Sequence, residues 1–204
     1  IPALAKKLGF DLTKKEVSVI NVASTAYLHF AKIFLRNDEK SMNIPVAIVT
    51  DLDNRPDING NYKPTSELDT TTDIRTKTKY DTLENLKQEL KGTSVVLEWA
   101  KEWTLEWCLY KSSSLSELFK ESVSEVHSET VEFKKDKNTG NFNDEFKKIL
   151  ISKLKKDRGT SKLDKVKVAS LLAEKINASN NLVIDHNDDY IKYLINAIKH
   201  ACSH

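Results

Sequence analysis

The chain has 204 residues, of which 39% are hydrophobic and 30% charged, and its formal net charge is +2. This length allows one large domain, or a domain with a smaller helical lobe, and the composition is that of an ordinary globular protein with a highly charged surface. The balanced charge excludes a global polyelectrolyte. No secretory signal is visible, and no apolar run approaches the ~20 residues that span a membrane.

The first half of the chain predicts alternating helices and strands. The predicted elements are a helix over 4–8, a strand over 17–22, a helix over 26–35, a strand over 45–50, a helix over 82–90 and a strand over 93–99. Residues 55–79 are rich in Asn, Asp, Thr, Pro and Gly and predict a long loop. Because a β-α-β order requires a crossover between parallel strands, we predict an α/β fold with a parallel sheet flanked by helices.

The second half of the chain changes to helices. They are predicted over 102–111, 114–126, 144–156, 163–176 and 188–201, with a polar loop over 128–143. Ser114 and Glu117 form a capping-box pattern at the start of the second of these helices. Residues 134–167 contain 12 Lys or Arg against 5 Asp or Glu. Such a stretch can face phosphates, and a solvated lysine-rich helix surface is the alternative.

Cys108 and Cys202 form neither a CxxC motif nor a zinc-binding spacing. We expect both to be reduced thiols, which predicts a cytoplasmic protein. The three tryptophans, Trp99, Trp103 and Trp107, are interpreted as core residues rather than as a platform for stacking bases.

Two carboxylates, Asp51 and Asp53, directly follow the apolar run of the second predicted strand. Residues i and i+2 of a strand share a face, so we expect the two side chains to project together from its carboxyl end. Hard oxygen ligands of this kind suit Mg²⁺ or Mn²⁺. The alternative is a pair of turn formers. Phosphatases of the haloacid dehalogenase type also use Asp-x-Asp, but Asn54 and Arg55 depart from their pattern.

Glu106 is the lone charge in an otherwise aromatic and apolar helical turn, beside Trp103, Leu109 and Tyr110. An unpaired buried carboxylate is costly, and a metal ion or another cation would remove that cost. The alternative is a partly exposed glutamate with Glu102 one turn away.

Lys165 lies at the start of a predicted apolar helix face that continues through Val168, Ala169, Leu172 and Ile176. A lysine in this position can extend its ammonium group to solvent along the apolar surface. The alternative is a positioned cation close to a bound phosphate.

Taken in order, these motifs resemble the carboxy-terminal part of the OLD (overcoming lysogenization defect) family of nucleases, whose catalytic module is a Toprim domain. Residues 1–9 and 17–22 resemble the start of that module, and residues 46–53 its Asp-x-Asp strand. Residues 103–106 resemble a family Thr-Leu-Glu segment. Lys165 with Ala169 and Leu172 resembles the helix that returns an active-site lysine, and residues 189–198 the closing helix.

The resemblance implies a Toprim core over 1–112, a helical insertion over 113–158, and C-terminal helices over 159–204 that return to the core. It implies a metal-dependent DNA endonuclease, with Asp51, Asp53 and Glu106 as ligands of Mg²⁺ or Mn²⁺ and Lys165 as a further catalytic residue. It also implies an ABC-type ATPase domain upstream, a homodimer, and a role in phage defence. This chain has no Gly-x-x-x-x-Gly-Lys-Ser/Thr loop, so we expect ATP to bind only to that upstream domain.

Two features depart from the family pattern. Toprim enzymes carry a glutamate just before their first helix, and here residues 1–8, which include the helix predicted over 4–8, already have helical character. We therefore expect a piece of a longer protein with an incomplete metal site and little activity of its own. Val166 also stands where a glycine commonly follows the lysine. The alternatives are a Toprim protein of the primase, topoisomerase or recombination type, and a degenerate Toprim module that binds DNA or supports assembly.

Overall fold

The computed structural model describes residues 1–22, 27–35, 43–57, 59–130, 133, 142–155 and 162–203. The helices within these ranges are α1 (Pro2–Lys7), α2 (Tyr27–Ala31), α3 (Ile74–Glu89), α4 (Leu105–Lys111), α5 (Ser116–Val126), α6 (Phe142–Lys155), α7 (Lys165–Ala178) and α8 (Lys192–Ala201). The strands are β1 (Val46–Thr50) and β2 (Val95–Trp99), and short 3₁₀ helices cover Lys32–Leu35 and Thr65–Glu67.

The two strands form a parallel sheet, in which Val46 lies opposite Val95 and Thr50 opposite Trp99. Helix α3 lies in the connection between them, as parallel strands require. Buried side chains of the strands pack with those of α2 and α3 in a small core made of Ala31, Ile48, Leu52, Leu83, Leu90, Val95 and Leu97. The α/β class with a parallel sheet flanked by helices is therefore confirmed.

A larger core joins the helices from both ends of the chain. Helix α8 packs against both strands, α1 packs against α7, and α5 packs against α4 and α7. The apolar residues between these helices include Trp103 and Trp107, which are fully buried as predicted, whereas Trp99 is only partly buried at the sheet. This packing brings the amino-terminal helix against the carboxy-terminal ones, and the division into 1–112, 113–158 and 159–204 stays a prediction.

The predicted strand over 17–22 is wrong. These residues form no strand, and the side chains of Val19 and Ile20 are 54% and 80% exposed. Val17 donates its N–H to the carbonyl of Leu12 at 2.8 Å, and Glu16 has a φ of 54°. The β-branched pattern indicates only local preference, whereas a strand also needs a neighbour to pair with.

Several helix boundaries differ from the prediction. Helix α3 begins eight residues early, at Ile74, so the long loop ends well before residue 79. Helix α4 begins only at Leu105, because the side chain of Thr104 caps it by accepting from the N–H of Trp107. The capping box is wrong: Ser112 accepts from the N–H of Leu115 at 2.9 Å, and Ser114 accepts from the N–H of Asp185.

The remaining boundaries agree to within a few residues, except that α8 begins at Lys192 rather than 188. Most of the predicted polar loop and much of the lysine-rich stretch lie outside the described residues. Both cysteines are free, as expected, and both are buried. Within the described ranges, no helix combines the length and the apolar character that crossing a membrane requires.

Candidate functional site

Asp51 lies at the carboxyl end of the sheet, immediately after β1. Its Oδ1 accepts a hydrogen bond from the N–H of Leu105, the first residue of α4, at 3.0 Å. The loop that follows is bound to the segment before α4, since Asp53 donates its N–H to the carbonyl of Trp103 at 2.9 Å and Asn54 to that of Glu102 at 3.2 Å. These bonds hold the acidic loop against the start of α4.

Glu106 and Lys165, which are 59 residues apart in sequence, form an ion pair. The Nζ of Lys165 donates to Oε2 of Glu106 at 2.9 Å. Glu106 is the second residue of α4 and its side chain is 13% exposed, whereas that of Lys165, the first residue of α7, is 48% exposed. The cation that accompanies the mostly buried Glu106 carboxylate is therefore an ammonium group of the same chain.

Lys165 begins a narrower apolar face than the sequence predicts. Val168, Leu172 and Ile176 are buried, but Ala169 is exposed. Successive helical residues are about 100° apart, so Ala169 falls outside the stripe that contacts the core. Lys165 lies at the amino-terminal end of this stripe, and its ammonium group is directed to Glu106.

Burial and neighbouring charges raise the pKa of Asp51 to about 6. Burial is the largest cause, followed by the negative charge of Glu106, while the charge of Asp53 adds a smaller increase. The N–H of Leu105 and the charge of Lys165 act in the opposite direction. The structure thus places Glu106, Lys165 and Asp53 within electrostatic reach of Asp51. Above its pKa, Asp51 adds a negative charge that a bound cation would stabilise.

Asp53 is placed differently from the prediction. Strand β1 ends at Thr50, before both acids, so the alternation of a strand does not apply to them. Asp53 has a φ of 63°, in the left-handed region, and its side chain is 51% exposed. Its Oδ2 accepts from the Nζ of Lys79 in α3 at 2.6 Å. Asp51 and Asp53 therefore have separate partners, one on α4 and one on α3.

The donor chemistry of these acids fits a hard cation. Carboxylate oxygens are the ligands that Mg²⁺ prefers, and Asp51, Asp53 and Glu106 each use one oxygen in the contacts described above. Burial and, after it, the charge of Glu106 raise the pKa of Asp51, and a bound divalent cation would stabilise the ionised carboxylate against both. Within the part of the chain that the structure describes, however, no three His, Cys, Asp or Glu side chains form a group that could hold a metal.

Two residues near the predicted site have no recognisable sequence signal. Lys79 falls in the segment predicted as loop, and only the early start of α3 places it beside Asp53. Tyr193 of α8 is buried, and its hydroxyl has no hydrogen-bond partner in the described structure. Burial raises the pKa of Tyr193, and the neighbouring Cys108, Asp51 and Glu106 raise it further. A tyrosine within the helix predicted over 188–201 gives no indication of such neighbours.

Glu102, one turn before Glu106, belongs to a separate buried cluster. It is fully buried, and its Oε2 accepts from the indole Nε1 of Trp107 at 2.5 Å. Lys101 beside it pairs with Asp189 at 2.7 Å, and its Nζ lies 4.9 Å from the ring centre of Tyr190. Glu102 therefore anchors the segment before α4 and does not approach Glu106 as an exposed neighbour.

Residues 1–53 match the family model described as the TOPRIM domain of overcoming lysogenization defect protein-like proteins. The match ends at Asp53 and includes both acids of the Asp-x-Asp motif, so the family resemblance is confirmed over this segment. Toprim domains generally bind Mg²⁺ and commonly belong to nucleases or primases, which indicates a metal-dependent function on nucleic acids. Neither the curated proteins nor the solved structures gave a match.

Proposed function

We propose, from the OLD-like Toprim match and the cluster beside it, that this chain is the nuclease region of an OLD-like ATPase-nuclease. It would hydrolyse DNA phosphodiester bonds with Mg²⁺ or Mn²⁺. The observation that carries the proposal is the convergence of Asp51, Glu106 and Lys165, which come from three separate parts of the chain. Two of these residues lie outside the matched segment, so their placement supports the proposal independently of the match.

Each residue has a role that its surroundings suit. Asp51 and Asp53 are the primary metal ligands, and Glu106 completes a second metal position or orients a water molecule. A bound divalent ion would supply an activated water and neutralise charge on the phosphate. The N–H of Leu105 keeps Asp51 oriented. Lys165 is about half exposed, so its ammonium can turn from Glu106 to an oxygen of the phosphate.

The wider setting is also proposed. An upstream ABC-type ATPase domain would bind ATP, DNA would be the substrate, and the protein would act in the cytoplasm as a homodimer, with a role in phage defence. Residues 113–158 would be the helical insertion, and their lysines would contact the DNA backbone without reading its sequence.

Nicking of supercoiled plasmid by the intact protein tests the proposal. We expect Mn²⁺ or Mg²⁺ to support nicking, EDTA to stop it, and Asp51→Asn to abolish it while DNA binding in a gel-shift assay is retained. Asp57→Asn is the matched control, because Asp57 is an exposed acid of the same loop and, among the described residues, its carboxylate accepts from Asn59 and Asn61 of its own turn. Normal nicking by Asp51→Asn would contradict the metal assignment.

A non-catalytic Toprim module that binds DNA or supports assembly is the second candidate. Lys79 and Lys165 pair with Asp53 and Glu106, so the charges of two of the three candidate metal ligands are already offset without a metal ion. This pairing favours the second candidate. Isothermal titration of the intact protein with Mn²⁺ distinguishes the candidates. Binding that is lost in Asp51→Asn supports the nuclease, whereas DNA binding without any Mn²⁺ binding supports the module.

A further inference from the structure

We propose that His127 is a positioning residue that holds Lys165 toward Glu106 by anchoring Asp164, the residue that caps the start of α7. This inference rests on the proposed function for its catalytic consequence. His127 is the C-cap residue that directly follows α5, and it is 6% exposed. The backbone N–H of Asp164 donates to Nε2 of the imidazole at 3.1 Å. A buried side chain from one helix thus binds the backbone at the start of another.

The contact defines the state of the imidazole ring. A backbone N–H can only donate, so Nε2 must carry a lone pair, and a neutral ring then has its proton on Nδ1. That nitrogen faces Oε1 of Glu129 at 3.3 Å, a suitable acceptor. The ring also packs near Phe133, with 6.3 Å between ring centres. Both nitrogens of His127 are therefore engaged, one by the backbone of Asp164 and the other by Glu129.

Asp164 transmits this anchoring to α7. Its Oδ1 accepts from the N–H of Lys167 at 3.1 Å, and its carbonyl accepts from the N–H of Val168 at 3.0 Å. It is the N-cap of α7, and the residue that follows it is Lys165. The contacts thus run from His127 through Asp164 to Lys165, whose Nζ lies 2.9 Å from Glu106.

A helix cap alone does not require a buried histidine. The carboxylate of Asp164 already caps α7, so His127 adds an acceptor for the backbone N–H of Asp164 itself, which that carboxylate does not bind. Losing that acceptor leaves a donor unsatisfied in a partly buried position, which favours a shift of the cap. Since a misplacement of ~1 Å can cost ~100-fold in rate, a shift of this kind would reach the chemistry through Lys165.

Two substitutions of His127 in the intact protein separate the effect of its hydrogen-bond acceptor from the effect of its ring volume. His127→Gln keeps an acceptor atom near the position of Nε2, whereas His127→Phe keeps the ring volume and removes the acceptor. The first readout is the acylation rate of Lys165, measured by mass spectrometry against Lys101, another lysine in an ion pair. We expect His127→Phe to raise the acylation rate of Lys165 relative to that of Lys101 severalfold, because the substitution releases Lys165 from Glu106. His127→Gln should restore the wild-type ratio of the two rates.

The second readout is nicking. We expect His127→Phe to lower kcat about tenfold with KM nearly unchanged, and His127→Gln to recover most of that loss. Thermal unfolding is monitored for each variant, and His127→Asn, which places its amide near Nδ1 only, replaces His127→Phe if that variant does not fold.

Equal Lys165 acylation in wild type, His127→Phe and His127→Asn would overturn the inference. The acylation readout needs no catalysis, so it also separates the two proposals. If Asp51→Asn nicks normally but the acylation pattern is as expected, the proposed function fails and the positioning of Lys165 stands. If Asp51→Asn is inactive but acylation is unchanged, the positioning fails alone.

Discussion

The candidate site has a buried half and an exposed half, which differ in what their charges do. In the buried half, Asp51 lies against α4 beside the ion pair of Glu106 and Lys165, and its pKa is raised to about 6. In the exposed half, Asp53 is 51% exposed and pairs with Lys79. The two acids are only two residues apart in sequence. The difference between their charge interactions therefore comes from their different burial.

The difference follows from solvent screening. Water around Asp53 weakens its interactions with other charges, and exposed ion pairs contribute little stability. The carboxylate of Asp51 has lost much of its hydration, so the charge of Glu106 acts on it strongly. We therefore expect the buried half to dominate both the electrostatic cost and the chemistry of the site.

The largest expected effect comes from removing the charge of Asp51. Asp51→Asn should lower nicking by the intact protein about 10³-fold or more, a loss comparable to that of a main electrostatic group in other active sites. The same variant should be more stable than wild type at pH 7 by about 1–3 kcal/mol, because a pKa raised by roughly two units marks an unfavourable buried charge. The amide oxygen of the variant could still accept from the N–H of Leu105. Chemical denaturation measures the stability change.

Asp53→Asn is the comparison for this effect. It should also reduce nicking, but its stability should change by less than about 1 kcal/mol, since the ion pair with Lys79 is exposed. Equal stabilisation by Asp51→Asn and Asp53→Asn would show that the carboxylates of the buried and exposed halves do not differ in burial.

The pH dependence of metal binding should follow Asp51. A protonated carboxylate cannot bind a cation, so Mn²⁺ affinity should fall about tenfold per pH unit below about pH 6. Isothermal titration of the intact protein at pH 5 and pH 7.5 measures the change. An affinity that is equal at both pH values would place the metal elsewhere.

Asp51 should also affect stability in a defined pH window. Its folded pKa is raised above 3.8, so the stability it contributes is complete below about pH 3.8 and is lost as the pH rises through about 6. The stability advantage of Asp51→Asn over wild type should therefore grow between pH 4 and 6 and then level off. A difference that stays constant across this window contradicts the raised pKa.

A smaller effect should appear when the partners of Asp51 are changed. Glu106→Gln should lower the pKa of Asp51 and Lys165→Met should raise it, because the first removes a negative and the second a positive charge. We expect changes of up to about one unit, measured by ¹³C NMR titration of the Asp51 carboxyl carbon. Lys79→Met, in the exposed half, serves as the control and should leave this pKa nearly unchanged.

The smallest effect is expected for the hydroxyl of Tyr193. Because it has no hydrogen-bond partner in the described structure, Tyr193→Phe should change the free energy of unfolding by less than about 1 kcal/mol. A larger loss in denaturation experiments would mean that a water molecule bridges this hydroxyl to the buried half of the site.

Much of the local structure could be predicted from the sequence. The strands predicted over 45–50 and 93–99 and the helices α1, α5, α6 and α7 follow from the pattern of apolar residues, which is a local property of the chain. The sequence could not decide whether residues 17–22 form a strand, because a strand needs a neighbouring strand to pair with. Whether one is available depends on the rest of the fold. The cap of α5 was mistaken because Ser114 accepts from the N–H of Asp185, which lies 71 residues away, while Ser112 accepts from the N–H of Leu115 and donates to Asp188.

The sequence by itself determined the α/β class, the Asp51-Leu52-Asp53 motif after an apolar strand, and the unusual character of Glu106. Only the tertiary structure decided that Asp51 is less exposed than Asp53 and that Lys165 reaches Glu106 across 59 residues. It also decided that Lys79 pairs with Asp53, that Tyr193 neighbours Asp51 and Glu106, and that His127 binds the backbone of Asp164. The physical reason is that residue type and spacing specify local backbone preference. Burial, charge pairing and pKa instead depend on which distant segments pack together.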